Sequence, residues 1–253
     1  MDAVLVTGAS AGIGEEFARQ LASQGHNLVL AARRLEKLQA LAAELRDRHG
    51  VEIACVSADL ADADAPQTLV ARLEEQGVRL SGLVNNAGFG DRGSFADLSL
   101  ERQMNMVQLN VTALVELTWR VLPQLRQASS AFVINVASTA AFQAGPNMAI
   151  YYATKAFVLS FSEALHEELK GSGVAVSALC PGATDSEFAQ EANMTNTLLF
   201  KAGTMTPRAV VAKALAGRKR AIVIPGLKNL ILVWLGKLSP RMITRRLAGM
   251  LQA

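Results

Sequence analysis

Ala3-Val4-Leu5-Val6-Thr7-Gly8-Ala9-Ser10-Ala11-Gly12-Ile13-Gly14 carries a short apolar run into a glycine turn and from there into a stretch of helical period. An apolar run of this length bounded by a turn reads as a buried strand. The glycines are spaced Gly-x-x-x-Gly-x-Gly. Glycine lets the backbone turn tightly and approach a ligand closely, and the amides of a helix N-terminus favour an anion. Strand, glycine turn and helix together suit the pyrophosphate of a dinucleotide. Glycines after a strand also make ordinary turns, and the βα context is what favours the binding reading here.

Outward from this unit the same rhythm continues. Residues 3–6, 27–32, 51–56, 83–85, 131–136, 174–180 and 221–224 read as strands, with little polar alternation, as expected of parallel strands buried on both faces. Helical periodicity fills 13–24, 34–48, 65–76, 99–127, 150–170 and 206–217. Strand–helix alternation of this kind implies an α/β fold: a Rossmann-type, doubly wound parallel sheet of seven strands flanked by helices. One dinucleotide-binding domain over 1–253 is expected. Two segments break the rhythm. Residues 183–205 mix Met194, Leu198, Leu199, Phe200 and Met205 with polar residues beyond a strand's carboxyl end, where a substrate loop belongs. Residues 226–252 form a basic, amphipathic helical tail.

Composition narrows the function classes. With 51% hydrophobic and 19% charged residues, disorder is excluded for most of the 253-residue chain. Cys55 and Cys180 lie in separate apolar runs and read as buried free thiols of a reducing cytosol. His26, His49 and His166 show no metal-ligand spacing, so no metal is expected. The N-terminus lacks the pattern of a signal peptide, and the apolar run 230–235 is too short to span a bilayer, which points to a cytoplasmic protein, peripheral to a membrane at most. The net charge of +3 hides an asymmetry: Glu191 is the last acidic residue, and 11 Lys and Arg follow it. Such a tail favours anionic partners. Nothing points to nucleic acid.

The end of the second strand discriminates between dinucleotides. An acid about 20 residues after the glycines normally holds a ribose 2′-hydroxyl. Here Arg33 and Arg34 stand at that place. Two guanidiniums suit a 2′-phosphate, so NADP(H) is expected over NAD(H). Asp59-Leu60 follows the third strand, within reach of an adenine, although an acid there also serves as a helix cap. Asn86-Ala87-Gly88 follows the fourth, where small residues admit a flat ring. Ser138 closes the fifth strand, and Tyr151 and Lys155 stand four apart, on one helix face. A free phenol with a pKa near 10 exchanges protons poorly at neutral pH; an ammonium one turn away is expected to lower it. Ser138 can donate a hydrogen bond to a substrate oxygen as charge builds there. Tyr152 is a neighbouring rival, but only Tyr151 stands four before the lysine.

Taken together, Thr7-Gly8-x-x-x-Gly12-x-Gly14, Asn85-Asn86-Ala87-Gly88, Asn110, Ser138, Tyr151-x-x-x-Lys155 and Pro181-Gly182 resemble the short-chain dehydrogenase/reductase family, in its shorter, single-domain branch. The resemblance implies a tetrad. Tyr151 is the proton donor in reduction, Lys155 holds the nicotinamide ribose, Ser138 polarises the carbonyl, and Asn110 holds a water joined to Lys155. It also implies cofactor contacts from Ser10, Ala11 and Ile13 in the glycine turn and from Pro181, Gly182 and Thr184. NADP-preferring members often carry a basic residue where this chain has Ala11, so the NADP(H) expectation rests on Arg33 and Arg34.

Phe89, Phe142, Met148 and the apolar loop residues suggest a hydrophobic pocket. The stretch from Arg33 to Leu38 and the run from Ile224 to Leu227 resemble members acting on ketoacyl, lipid-like or steroid substrates. The expected activity is interconversion of an apolar ketone and a secondary alcohol, in a homodimer or homotetramer built partly on 99–127 and 150–170. Two other classes are weighed. A nucleotide-sugar epimerase needs a larger substrate domain, and a catalytically silent, cofactor-sensing regulator tends to lose the tyrosine or lysine. In the tail, Leu227, Leu230, Ile231, Trp234, Leu235 and Leu238 share a helical face beside Lys228, Lys237, Arg241, Arg245 and Arg246. Such a face packs on the domain or a dimer mate, the favoured reading, or it meets an anionic membrane or an acyl-carrier partner.

Overall fold

The first strand, β1 (Asp2–Thr7), lies inside a seven-stranded parallel sheet, between β2 (Asn27–Ala32) and β4 (Arg79–Asn85). Across the sheet the order is β3 (Ile53–Ser57), β2, β1, β4, β5 (Ala131–Val136), β6 (Val174–Leu179) and β7 (Ile222–Val223). This is a computed structural model; it describes all residues except 195, 196, 198, 199, 201, 202 and 253, and omits the side chains of 251 and 252. Leu198 and Leu199, expected in the substrate loop, lie outside the described residues.

Helices cover both faces. Val4, Val6, Leu28 and Leu30 pack with Phe17 and Leu21 of α1 (Gly12–Ser23), and with Leu38 and Leu45 of α2 (Leu35–His49). The intervening residues Leu5, Val29 and Ala31 pack on the opposite side. There they meet Leu69 and Leu73 of α3 (Ala65–Glu75), with Val121 of a later helix, α5 (Leu114–Leu125). Alternate residues of one strand are thus buried on opposite faces, which is why the runs lack polar alternation. Each such leucine contributes about 1.5–3 kcal/mol by leaving water.

The expected helix over 99–127 is three pieces: α4 (Leu100–Val107), a π-helical turn Gln108–Ala113, and α5. The wider turn carries buried Asn110, whose side chain is bonded to the backbone of Phe89. A π turn accommodates one extra residue and re-aims its side chain, and such turns gather at functional sites. After α6 (Ala149–Glu168) and β6 come the short α7 (Glu187–Glu191) and α8 (Pro207–Gly217). The tail is two helices, α9 (Leu227–Leu238) and α10 (Arg241–Gln252), not one. Pro240 breaks it: proline lacks an N–H and holds the preceding Ser239 in extended backbone, at ψ 145°. β4 begins earlier than expected, at Arg79, whose Nε donates to Asp2 Oδ1 at 2.9 Å, and β3 is displaced by one to two residues. Of the two thiols expected to be buried, Cys180 is, and Cys55 is half-buried.

Candidate active site

The chain order reverses direction across the sheet between β1 and β4, and a crevice opens at their carboxyl ends, where doubly wound sheets bind ligands. Thr7 fastens its two sides. Its Oγ1 donates to Val84 O at 3.2 Å and accepts from the amides of Asn86 and Ala87, each at 3.0 Å. Asn86 Nδ2 donates back to Thr7 O at 2.9 Å and to Gly8 O at 3.2 Å. The glycine turn is thereby clamped to the β4 loop. Gly8 adopts φ +63°, and a Cβ on Gly14 would sit 2.2 Å from Gly8 O, so no side chain fits there. Ala11 precedes α1 and provides no side-chain cap, so the helix directs its first amides at the crevice.

One cleft runs from this turn in both directions. Toward β2 and β3 it is lined by Ser10, Ala11, Gly12, Ile13, Arg33, Arg34, Asp59 and Leu60; toward β5 and β6 by Asn86, Ala87, Gly88, Ser138, Tyr151, Lys155, Pro181, Gly182 and Thr184. Of the catalytic and cofactor-binding residues expected from the sequence, all line this cleft except Gly14 and Asn110, which stand directly behind it; of the expected pocket residues, Phe89 lines it while Phe142 and Met148 do not. Gly14 supports the turn. Asn110 Oδ1 accepts from Phe89 N at 3.1 Å, and its Nδ2 donates to Phe89 O at 3.0 Å and Thr154 Oγ1 at 3.2 Å. A Cβ on Gly88 would lie 2.8 Å from Asn110 Oδ1 and 3.6 Å from Lys155 Nζ, so these three residues meet at one point.

The two arginines differ. Arg33 is 67% exposed and reaches only to 4.0 Å from Asp59 Oδ2, while Asp59 Oδ1 accepts from Ala61 N at 3.1 Å as a local cap. Arg34 Nε and a terminal nitrogen donate to Ser10 Oγ at 3.2 and 3.0 Å, and that nitrogen also donates to Glu187 Oε2 at 2.8 Å. Lys37 Nζ donates to the other oxygen of the same carboxylate at 2.9 Å. This pairing holds the Glu187 carboxyl below its ordinary range, Lys37 contributing more than Arg34.

At the far end Ser138, Tyr151 and Lys155 converge. Tyr151 and Lys155 are buried on α6. Lys155 Nζ donates to Val136 O at 2.7 Å and lies 5.8 Å from the centre of the Tyr151 ring. Ser138 Oγ accepts from Ala140 N at 3.1 Å, capping the 3₁₀ turn Thr139–Phe142. The titration of the pair departs from the sequence expectation. Burial pushes the Tyr151 phenol above its ordinary value; a hydrogen bond with the Ser138 hydroxyl opposes this only in part, and Tyr152 adds to the rise. Burial also lowers the Lys155 ammonium from 10.5 to about 8. Four-residue spacing places the two on one face, but the loss of water around both outweighs their mutual influence. Tyr152 lines the cleft as well, its ring packed against Gly145.

Residues 2–197 match the family described as short chain dehydrogenase. The chain belongs to that family. As such it is an oxidoreductase of alcohol and carbonyl groups. Sulfoacetaldehyde reductase of Chromohalobacter salexigens is 39% identical to it over 189 residues, 74% of each chain. A solved short-chain dehydrogenase from Sphingobium yanoikuyae in complex with NADPH is 36% identical, with 93% of this chain and 94% of that one covered and a TM-score of 0.82. A solved 7beta-hydroxysteroid dehydrogenase is 28% identical, covers 97% and 96%, and superposes with a TM-score of 0.88.

In this short-chain dehydrogenase the cleft continues past Tyr151 into a wall of Phe89, Phe188, Met194 and Phe200. The Phe188 ring lies 5.5 Å from the Tyr151 ring. Phe142, expected in the pocket, instead supports α9: Lys237 Nζ sits 5.0 Å over its ring. Arg102 lies 3.3 Å from Asp91 and donates to Glu191 O at 3.4 Å, tying α4 to the loop. Two residues that position the site, Thr154 and Glu187, escaped the sequence reading; Thr7 stood in the glycine motif but its clamping role did not show there.

Proposed function

We propose that the protein is an NADP(H)-dependent carbonyl reductase acting on an apolar ketone, with Tyr151 as proton donor. The observation that carries the reading is one cleft joining Arg33 and Arg34 to Ser138, Tyr151 and Lys155, with the glycine turn between them. The residues fit such a cofactor by their chemistry: guanidiniums for a 2′-phosphate, uncapped helix amides for the pyrophosphate, and small residues at Ala87 and Gly88 for a ring. The NADPH complex of the Sphingobium relative supports the same choice. When bound, the dinucleotide supplies the hydride.

The protein's own part is positional and electrostatic. Ser138 donates to the carbonyl oxygen as negative charge gathers on it, and Tyr151 delivers its proton there. Burial keeps the phenol protonated at neutral pH, which suits reduction: the proton leaves only when an alkoxide-like oxygen is beside it. Lys155 brings positive charge to the same end, held by Val136 O. Asn110 positions Gly88 and, through Thr154, the start of α6. The aromatic wall supports an apolar substrate, as does the likeness to a hydroxysteroid dehydrogenase. Exposed Leu100, Met104 and Trp119 on α4 and α5, with Phe157 on α6, support a homodimer or homotetramer through those helices.

The test is a panel of ketosteroids, ketoacyl thioesters, aldehydes and sugars assayed with NADPH and NADH. Apolar ketones with NADPH are expected to turn over fastest, and Tyr151→Phe to lower kcat about 10³-fold with little change in cofactor affinity. Undiminished turnover by that variant overturns the proposal.

A further inference from the structure

The tail faces outward. The sequence reading favoured a helix packed on the domain or on a dimer mate, yet of α9 only Val233 is buried, and of α10 only Ala248 among its described side chains. On α9, Leu227, Ile231, Trp234 and Leu238 recur at i, i+4, i+7 and i+11, forming one stripe; they are 73%, 49%, 57% and 79% exposed. Ile243 and Leu247 make a second exposed stripe on α10. Most of the exposed large apolar side chains among the described residues fall between 227 and 250. Arg241, Arg245 and Arg246 flank them and form no ion pair among the described residues, and the chain has no carboxylate side chain after Glu191.

We propose that α9 and α10 form a docking face for the surface of an anionic phospholipid bilayer. Charge decides the occupant. A second copy of this chain seated face to face would bring two wholly cationic tails together, whereas an anionic headgroup layer complements the arginines while the apolar stripes enter beneath it. The exposed apolar residues of α4, α5 and α6 offer self-association a separate face. No helix among the described residues is long and apolar enough to cross a membrane, so the contact is a surface one.

The face is fixed to the site it serves. Asn229 of α9 lies directly over Gly182, its Nδ2 bonded to Pro225 O at 2.7 Å. Gly249 of α10 packs on Pro146, and Ala248 lines the cleft. Docking would therefore set the substrate end of the cleft at the headgroup layer, where a membrane-dissolved ketone is at hand. This consequence rests on the reductase reading; the docking itself does not.

The chain has two tryptophans, so Trp119→Phe leaves Trp234 as the sole reporter. The full chain carrying that change is mixed with phosphatidylglycerol–phosphatidylcholine vesicles or with phosphatidylcholine vesicles. Expected are co-sedimentation and a blue shift of Trp234 emission with the anionic vesicles alone, both diminished by high salt. Arg245→Gln/Arg246→Gln should weaken binding about fivefold for each charge removed. Ile231→Asp/Leu235→Asp should abolish it while turnover of a water-soluble ketone persists, which separates docking from folding and from the activity. Four results overturn the proposal: no anionic preference at low salt, full binding by the aspartate variant, an oligomer that the aspartate variant dissolves while vesicles are ignored, or capture of an acidic carrier protein without vesicle binding.

Discussion

Replacing Lys155 by methionine should make the protein more stable and far less active. The ammonium is buried against Val136 O, and burial takes its pKa from 10.5 to about 8. At 1.36 kcal/mol per unit, charging this group in the folded state costs about 3 kcal/mol. Methionine keeps most of the length of the side chain and removes the charge, at the loss of one charged hydrogen bond worth about 1.5 kcal/mol. The net gain at pH 7 is about 2 kcal/mol, or roughly 4–8 °C in melting temperature for a chain of this size.

The sign with pH separates this cause from mere repacking. A lysine lowered in the folded state penalises folding fully below its folded pKa, and the penalty fades as pH rises toward the unfolded value. By about pH 9.5 more than half is gone, so the advantage of the variant should vanish there. Thermal melts followed by circular dichroism at the two pH values measure this, with turnover read alongside and expected to drop about 10²–10³-fold. A variant less stable than the parent at pH 7, or one whose advantage is the same at both pH values, refutes the reasoning.

Arg33→Ala should raise KM for NADPH at least about tenfold more than KM for NADH, because the exposed guanidinium has only a distant carboxylate as partner and is available to a phosphate. Equal changes for both cofactors defeat the 2′-phosphate assignment. Gly14→Ala should destabilise by about 1–3 kcal/mol and abolish cofactor binding in calorimetry, since its Cβ would press on backbone, not on a movable side chain. Normal affinity would show that the turn does not bind. Glu187→Gln should lower KM for NADPH several-fold and leave NADH unchanged, because the carboxylate that now engages Arg34 loses its charge while the amide keeps a hydrogen bond. A rise for both cofactors would mean that Glu187 acts only as a fastening for the loop.

What the sequence disclosed and what it hid follow from the range of the interactions. Buried strands, the glycine turn and the Tyr151–Lys155 face are properties of neighbours along the chain, and the parallel, doubly wound sheet followed from the alternation of strands and helices. The π turn at Asn110 was hidden because the backbone that Asn110 grips, at Phe89, is 21 residues away. Glu187 meets Arg34 across 153 residues, a pairing that no local pattern announces. Periodicity showed that the tail carries an apolar stripe, but a stripe turned inward and one turned outward have the same spacing. The pKa of Tyr151 was misjudged for a related reason. Spacing supplies the neighbour, whereas burial, the larger effect, belongs to the whole fold.

The two shifted groups at the candidate centre express one physical condition. Removing water from around Tyr151 and Lys155 favours the neutral form of each, so the phenol keeps its proton while the ammonium binds its own less firmly. Held in this way, the pair responds strongly to charge arriving in the cleft: an oxygen gaining negative charge beside Ser138 is stabilised little by solvent and much by the nearest proton. The surrounding fold supports the arrangement with rigid anchors, Val136 O for the lysine and the Asn110–Thr154 bond for the start of α6. At the other end the side chains of Arg33 and Arg34 stay 67% and 44% exposed. On the proposed reading, recognition of the cofactor belongs to the exposed end of the cleft and proton transfer to the buried end.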